Sequence, residues 1–353
     1  MISQTLTLAD LGWNPYFASQ LHPLDSSSVR PARVVAVHRG QLQVLGEVLD
    51  VHILPFRESD EDEVSVATIG DWLLLEAAAN RACRLLQRQS LFKRRAAGTG
   101  RALQLIAANV DTVFVVSSCN QDFNIARLER YFALAHEAHV TPVLVLTKRD
   151  LVSDPSEFVH RAGRLLPALA VEALDARNPA DMSRLAPWLT RGQTIALLGS
   201  SGVGKSTLVN TLARAQTAQT HGIREHDAKG RHTTTGRALH LLPGGAWLVD
   251  MPGMRELQLT DVGTGLEQVF ADVTSMAAKC RFRDCRHSTE PGCAIKAAIL
   301  SGELDAERVK RWHKLAAEEA HNNETLAERR ARGRAFGKLA KRVKKEKAFR
   351  RGE

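Results

Sequence analysis

Between Thr194 and Arg214 the chain reads TIALLGSSGVGKSTLVNTLAR. An aliphatic run ends at Gly199, and a pattern of helical spacing begins at Lys205. The pattern Gly-x4-Gly-Lys-Ser between them belongs where a buried strand turns directly into a helix. That requirement constrains the fold more than any other feature of the chain. Its glycines permit the tight turn, so that backbone N–H groups from Gly199, Ser200, Ser201, Gly202, Val203 and Gly204 can approach phosphates. Lys205 is placed to reach β- and γ-phosphates and Ser206 to ligate Mg²⁺. Thr207 follows in a first helical turn whose free N–H groups favour anions.

The surrounding rhythm supports a doubly wound parallel sheet. DTVFVVSS, TPVLVLTKRD, ALAVEALDA, QTIALL and GGAWLVDMPG read as strands. IARLERYFALAHEAH, PSEFVHRAGRLLP and PADMSRLAPWLT read as helices between them. Ahead of this, residues 30–98 carry short β-like runs separated by Gly and charged turns, which predicts a small barrel: an OB-type five-stranded barrel first, with an SH3-like barrel not separable by the pattern alone. The full expectation is a multidomain chain. It has an extension at 1–29, a barrel at 30–98 and an α/β P-loop domain at 99–260. A helical metal-binding module at 261–325 and a basic tail at 326–353 complete it.

Two further motifs complete a nucleotide site. LVDMPG ends a strand at Asp250, which can hold Mg²⁺ through water, and Gly253 can offer its N–H to a γ-phosphate. In GRHTTTG, one hydroxyl of Thr233, Thr234 or Thr235 can complete the Mg²⁺ shell and order that loop. TKRD, at the end of the strand before the P-loop, supplies Thr147, Lys148 and Asp150. It matches the Asn-Lys-x-Asp guanine reader, with Thr147 in place of Asn. Asp150 accepts from guanine N–H groups, the Lys148 stem packs on the base, and EALDA (172–176) is a weak match to the loop that covers it. A base reader that precedes its P-loop implies a circularly permuted domain, cut in one loop and rejoined elsewhere, because a parallel sheet survives such a cut.

Cys280, Cys285, His287 and Cys293 follow as C-x4-C-x-H-x5-C. Three thiolates and one imidazole suit a closed, structural tetrahedral Zn²⁺ site, and Arg281, Arg283 and Arg286 make it basic. Cys83 and Cys119 lie in apolar runs and are expected in the core. The net charge of +9 comes entirely from residues 328–353, which hold twelve Lys/Arg against three Glu. A neutral body with such a tail points to a polyanion partner. No apolar stretch approaches the roughly eighteen residues of a membrane span. The N-terminus lacks the pattern of a signal peptide, so a cytosolic chain is expected.

The order TKRD, GSSGVGKST, GRHTTT, DMPGMRE and CRFRDCRHSTEPGC resembles the RsgA (YjeQ) family of small-ribosomal-subunit biogenesis GTPases, over roughly residues 30–320. The resemblance implies a circularly permuted GTPase between an OB barrel and a zinc module. It also implies GTP hydrolysis stimulated by the small ribosomal subunit, a role in that subunit's late maturation, rRNA and GTP/GDP as partners, and a cytoplasmic monomer. Met254 stands where many GTPases carry a water-orienting Gln, so His232 is the candidate for that role, and Lys205, His232 and Thr234 form the expected catalytic set. The rival readings are a P-loop ATPase or small-molecule kinase, and a non-catalytic RNA-binding protein that nucleotide merely stabilises.

Overall fold

The computed structural model describes residues 6–22, 28–95, 103–215, 237–250 and 261–323. The barrel strands are β1 (Val29–His38), β2 (Gln41–Gly46), β3 (Leu49–Ile53), β4 (Trp72–Glu76) and β5 (Ala82–Leu85). They pair antiparallel in the order β3-β2-β1-β4-β5, and no β3–β5 pairing closes the ring among the described residues. Alternating residues of β1, β2 and β4, such as Val34, Val44 and Leu73, fill its interior. β6 (Leu91–Arg95) and β7 (Leu103–Ala108) form a separate antiparallel pair that straddles the expected boundary at residue 98.

The nucleotide domain holds β8 (Thr112–Ser118), β9 (Thr141–Thr147), β10 (Ala170–Ala173), β11 (Thr194–Leu198), β12 (Arg237–Leu241) and β13 (Trp247–Asp250). Spatial order is β10-β9-β8-β11-β13-β12. The chain therefore winds outward from β8 to β10, then returns to the other side of β8 for β11. That reversal opens a crevice at the carboxyl ends of β8 and β11, where α/β folds place their ligands. Period-two alternation splits the faces: Val113, Val115 and Leu198 face one layer, while Phe114, Val116 and Ile195 face the other. The first layer is α2 (Ile125–Glu137) with the C-terminal helices, and the second includes α4 (Lys205–Ala215). α1 (Pro15–Ala18) and α3 (Ser156–Gly163) are shorter.

Three features depart from the sequence reading. Pro179–Trp188 is a 3-10 stretch rather than an α-helix, and Pro187 within it has no N–H for an i→i−4 bond. β12 was not anticipated. It is antiparallel to β13 across a Pro-Gly-Gly turn, so the sheet is mixed rather than wholly parallel. Cys83 is exposed rather than in the core because it lies on β5, a terminal strand of the array, whereas Cys119 is buried as expected. The N-terminal segment packs onto the body. Leu11 and Phe17 are 0% and 1% exposed, Trp13 meets Trp72 edge-on, and the Trp247 indole donates to the Asp10 carbonyl at 2.7 Å.

β12 also pairs with β1, through Ala238 to Ala36 and Arg237 to Val37, so barrel and nucleotide domain share one 11-stranded sheet. Arg33, on β1 and 2% exposed, locks this junction. Its guanidinium donates to the Leu11 carbonyl at 2.5 Å, the Asn109 carbonyl at 3.2 Å, the Gly70 carbonyl at 3.4 Å and Thr194 Oγ1 at 2.7 Å. Burial lowers its pKa to about 10, against the pull of Asp111 and Asp71, which leaves it charged at neutral pH. Arg33→Met keeps much of the volume but strands these acceptors. We expect a loss of about 3 kcal/mol or more in urea unfolding; a change under about 1 kcal/mol would remove Arg33 from this role.

Candidate functional site: a nucleotide crevice and a Cys3His cluster

β11 delivers Gly199 to the crevice beside β8. A Cβ at Gly199 would lie 2.3 Å from the Val116 carbonyl oxygen, so only glycine lets the loop leave the strand here. Val203 is buried beneath the turn, while Ser201, Gly202, Ser206 and Thr207 face solvent around the mouth. Gly204 leads into α4, whose first residue is Lys205. The Lys205 ammonium lies on the loop itself, 2.6 Å from the Gly199 carbonyl and also against that of Ser200. Ser200 Oγ accepts from Arg127 at 2.8 Å and lies 3.5 Å from the Tyr131 hydroxyl, both on α2.

Two strands away, β9 brings TKRD to the same edge. Thr147 is 0% exposed, and its hydroxyl lies 2.5 Å from the Val203 carbonyl and 3.0 Å from the Ser117 carbonyl. Its side chain thus faces the underside of the phosphate loop. Lys148 adopts a left-handed backbone (φ 58°) that turns the chain out of the strand, and its ammonium is 3.8 Å from Asp122. Asp150 is bound by Arg177, which follows β10. The Asp250 backbone ends β13 beside β11. His232, Thr233, Thr234, Thr235 and Gly253, with Met254 and the basic tail, lie outside the described residues.

Arg127 and Tyr131 were missed in the sequence because their partner Ser200 is distant along the chain, and Arg177 because its contact to Asp150 depends on the pairing of β9 with β10. Only Arg177 carried a signal, standing one residue beyond the weak base-loop match.

α2 also reaches the second site. Glu129, 0% exposed, accepts from Arg308 at 3.2 Å and Arg311 at 2.8 Å, both on α8 (Ala306–Asn323). Burial raises the Glu129 carboxyl and the two guanidinium groups oppose that shift. Arg130 pairs with Glu318, about two turns beyond Arg311 on α8. α5 (Gly263–Val269) packs on α2 so closely that a Cβ at Gly265 would meet the Ala133 carbonyl oxygen at 2.1 Å. α6 (Ala271–Ala277) and α7 (Ala294–Leu300) then bracket the cysteines.

The four expected metal ligands converge, with ligand atoms all within 4.8 Å of one another. Cys280 Sγ and Cys293 Sγ are each 3.5 Å from His287 Nδ1 and 4.0 Å from each other. Tetrahedral Zn–S bonds of about 2.3 Å place sulfurs about 3.8 Å apart, so the cluster fits that ion. Burial works against ionisation of Cys280, but backbone N–H groups of Ile295 and Ala294 at the start of α7 bring its pKa below that of an ordinary thiol. The His287 ring rests against Trp312 and His313 of α8, so the cluster and the Glu129 contact share one helix.

Two outcomes test these placements. Thr147→Val removes the hydroxyl under the phosphate loop, and GDP and ADP affinities should fall together, by about fivefold; loss confined to GDP would mean that Thr147 reads the base instead. Purified protein should release about one Zn²⁺ per chain to a chelator after denaturation, and Cys285→Ser should release far less. Equal metal content in both proteins would exclude the cluster as its site.

Comparison with known proteins agrees with this geometry. The family described as RsgA GTPase matches residues 85–260. The chain is 48% identical over 347 residues to small ribosomal subunit biogenesis GTPase RsgA 2 of Vibrio parahaemolyticus, covering 98% of this chain and 95% of the relative. It is 50% identical over 321 residues to small ribosomal subunit biogenesis GTPase RsgA of Mesorhizobium japonicum, covering 90% and 91%. In fold it is similar to YjeQ from Thermotoga maritima, with a TM-score of 0.59 and 23% identity over 81% of this chain and 97% of that one. YloQ, described as a circularly permuted GTPase, gives 0.57 and 21% over 86% and 99%. The strand order of a circularly permuted GTPase is thus shared in fold with YloQ, and the relatives' identity over nearly the whole chain shows that it belongs to the RsgA GTPase family.

Proposed function

We propose that this GTPase acts on the small ribosomal subunit late in its maturation, binding it with GTP and leaving after subunit-stimulated hydrolysis. The observation that carries the nucleotide assignment is the hydrogen bond from Thr147 to Val203. It fixes the strand end bearing Lys148 and Asp150 against the phosphate loop, so that one guanine nucleotide can span both. The printed names of the relatives support the ribosomal partner. The basic residues Arg281, Arg283 and Arg286 around the Cys3His cluster suit rRNA phosphates. Among the described residues no helix is long and apolar enough to cross a membrane. The reading includes a cytoplasmic monomer with one structural Zn²⁺.

In this mechanism the loop N–H groups from Gly199 to Gly204 cradle the phosphates and Lys205 neutralises charge that develops on the β–γ bridging oxygen. Mg²⁺, bound with GTP, would be held by Ser206, by Asp250 through water and by one of Thr233, Thr234 or Thr235, and supplies further charge stabilisation. Water attacks the γ-phosphorus as the bond to the bridging oxygen breaks, giving GDP and phosphate. Asp150 and Lys148 select guanine. Met254 cannot orient the water, so His232 does so once the ribosomal contact completes the loop. Helix α2 links Ser200 of the phosphate loop to α8 and so relays nucleotide state toward the metal cluster.

The test is turnover of GTP and ATP by the purified chain, with and without small ribosomal subunits. Strong stimulation with GTP only is expected. ATP turnover equal to GTP would refute the assignment of Asp150, and absence of stimulation would place the partner elsewhere. His232→Ala should lower stimulated turnover about 100-fold while GTP binding is unchanged; full turnover in that variant would exclude His232 from water positioning.

A further inference from the structure

Asp150 and Asp175 follow β9 and β10, adjacent parallel strands whose register aligns Leu146 with Ala173. Backbone bonds hold the two strand ends together: Leu174 N–H donates to the Leu146 carbonyl at 2.9 Å and Arg149 N–H to the Leu174 carbonyl at 3.3 Å. The two carboxylates therefore stand at one edge of the crevice, where like charges repel. Arg177 joins them. Its Nε lies 3.1 Å from Asp175 Oδ1 and its Nη2 lies 3.2 Å from Asp175 Oδ2, a two-pronged grip. The Arg177 backbone N–H donates to the same Oδ1 at 2.9 Å. Asp175 is itself fixed by its N–H, which donates to Asp181 Oδ2 at 2.8 Å. From this anchored position Nη2 also donates to Asp150 Oδ2 at 2.7 Å.

We infer that Arg177 is the positioning residue of the guanine reader: gripped by Asp175, it sets the rotamer of the Asp150 carboxylate and keeps the two acidic groups compatible. The inference rests on Asp150 reading the base, as proposed above. An ionised carboxylate offers about four acceptor sites, so one bond to Arg177 leaves both oxygens able to accept from guanine's N1–H and 2-amino group. The Arg177 guanidinium carries the same kind of planar N–H edge and touches Asp150 from the side of β10. Loss of Arg177 would leave Asp150 facing Asp175 without a cation between them, free to rotate out of register with the base. The ligand class this arrangement selects is a purine with a 6-oxo, 2-amino edge.

Isothermal titration of the full chain with GDP, ADP and xanthosine diphosphate tests this. Arg177→Ala should weaken GDP binding about fivefold, the scale of a pair whose members are 67% and 27% exposed, and leave ADP unchanged. Removing the second carboxylate as well, in Asp175→Ala with Arg177→Ala, should restore most of that loss, which a purely structural role for Arg177 would not predict. Asp150→Asn is the control for the underlying reading. Its amide N–H complements the 2-oxo group of xanthine, so preference should move from guanine to xanthine. No such move would overturn the base-reader assignment itself. If it does occur, Arg177 is excluded by unchanged or tighter GDP binding in Arg177→Ala, or by parallel loss of GDP and ADP that the double variant does not recover.

Discussion

A charged guanidinium held inside the molecule without a directly bonded carboxylate needs acceptors for its N–H groups, and Arg33 makes four such hydrogen bonds, to four segments. They are the N-terminal wedge, the turn before β4, the link between β7 and β8, and the first residue of β11. That last strand ends in the phosphate loop. The nucleotide site is therefore built on a strand whose beginning is fixed to the barrel, and the β1–β12 pairing repeats the connection through the backbone. The barrel and the nucleotide domain share a sheet and a buried polar hub. The Arg237 side chain adds a contact to the Leu105 carbonyl of β7, next to the same seam.

The crevice shows why circular permutation is tolerated. Strand order in space fixes which carboxyl ends adjoin, and nothing in the pairing of β8, β9 and β11 depends on which came first in the chain. Thr147, which ends β9, is accommodated in the same terms: its buried hydroxyl makes the contact to the phosphate loop. The cost of an acidic residue at Asp175 is then met by Arg177, within a few ångströms.

The Cys3His module is docked by a buried carboxylate rather than by apolar contact alone. Glu129 faces two arginines from α8, and Arg308 also holds Asp272 and stacks on Phe270. Burying Glu129 without those partners would be strongly unfavourable, which gives the interface one arrangement rather than many. The same α8 presents Trp312 and His313 to His287. Orientation of the cluster relative to the phosphate loop is thereby set through α2, whose other contacts include Ser200.

The sequence by itself determined the local chemistry: the phosphate loop between its strand and helix, the C-x4-C-x-H-x5-C cluster, the barrel runs and the reversed order of motifs. These are legible because each requires particular residue types at fixed short spacing. Misread elements were those whose conformation depends on distant partners. Residues 6–22 lack a clear period because they pack as a wedge against Trp72 and Trp247 rather than along one face. β12 reads RALHL, too short and without strict alternation to mark a strand, and its place in the sheet comes from pairing on both edges, with β1 and β13. Cys83 looked like a core residue because an apolar run does not reveal that its strand ends the array. Arg33, Glu129 and Arg177 look like ordinary surface charges in the sequence. Only the tertiary structure decided which of them would be buried, and which carboxylates and carbonyls they would meet, because those partners lie up to 182 residues away along the chain.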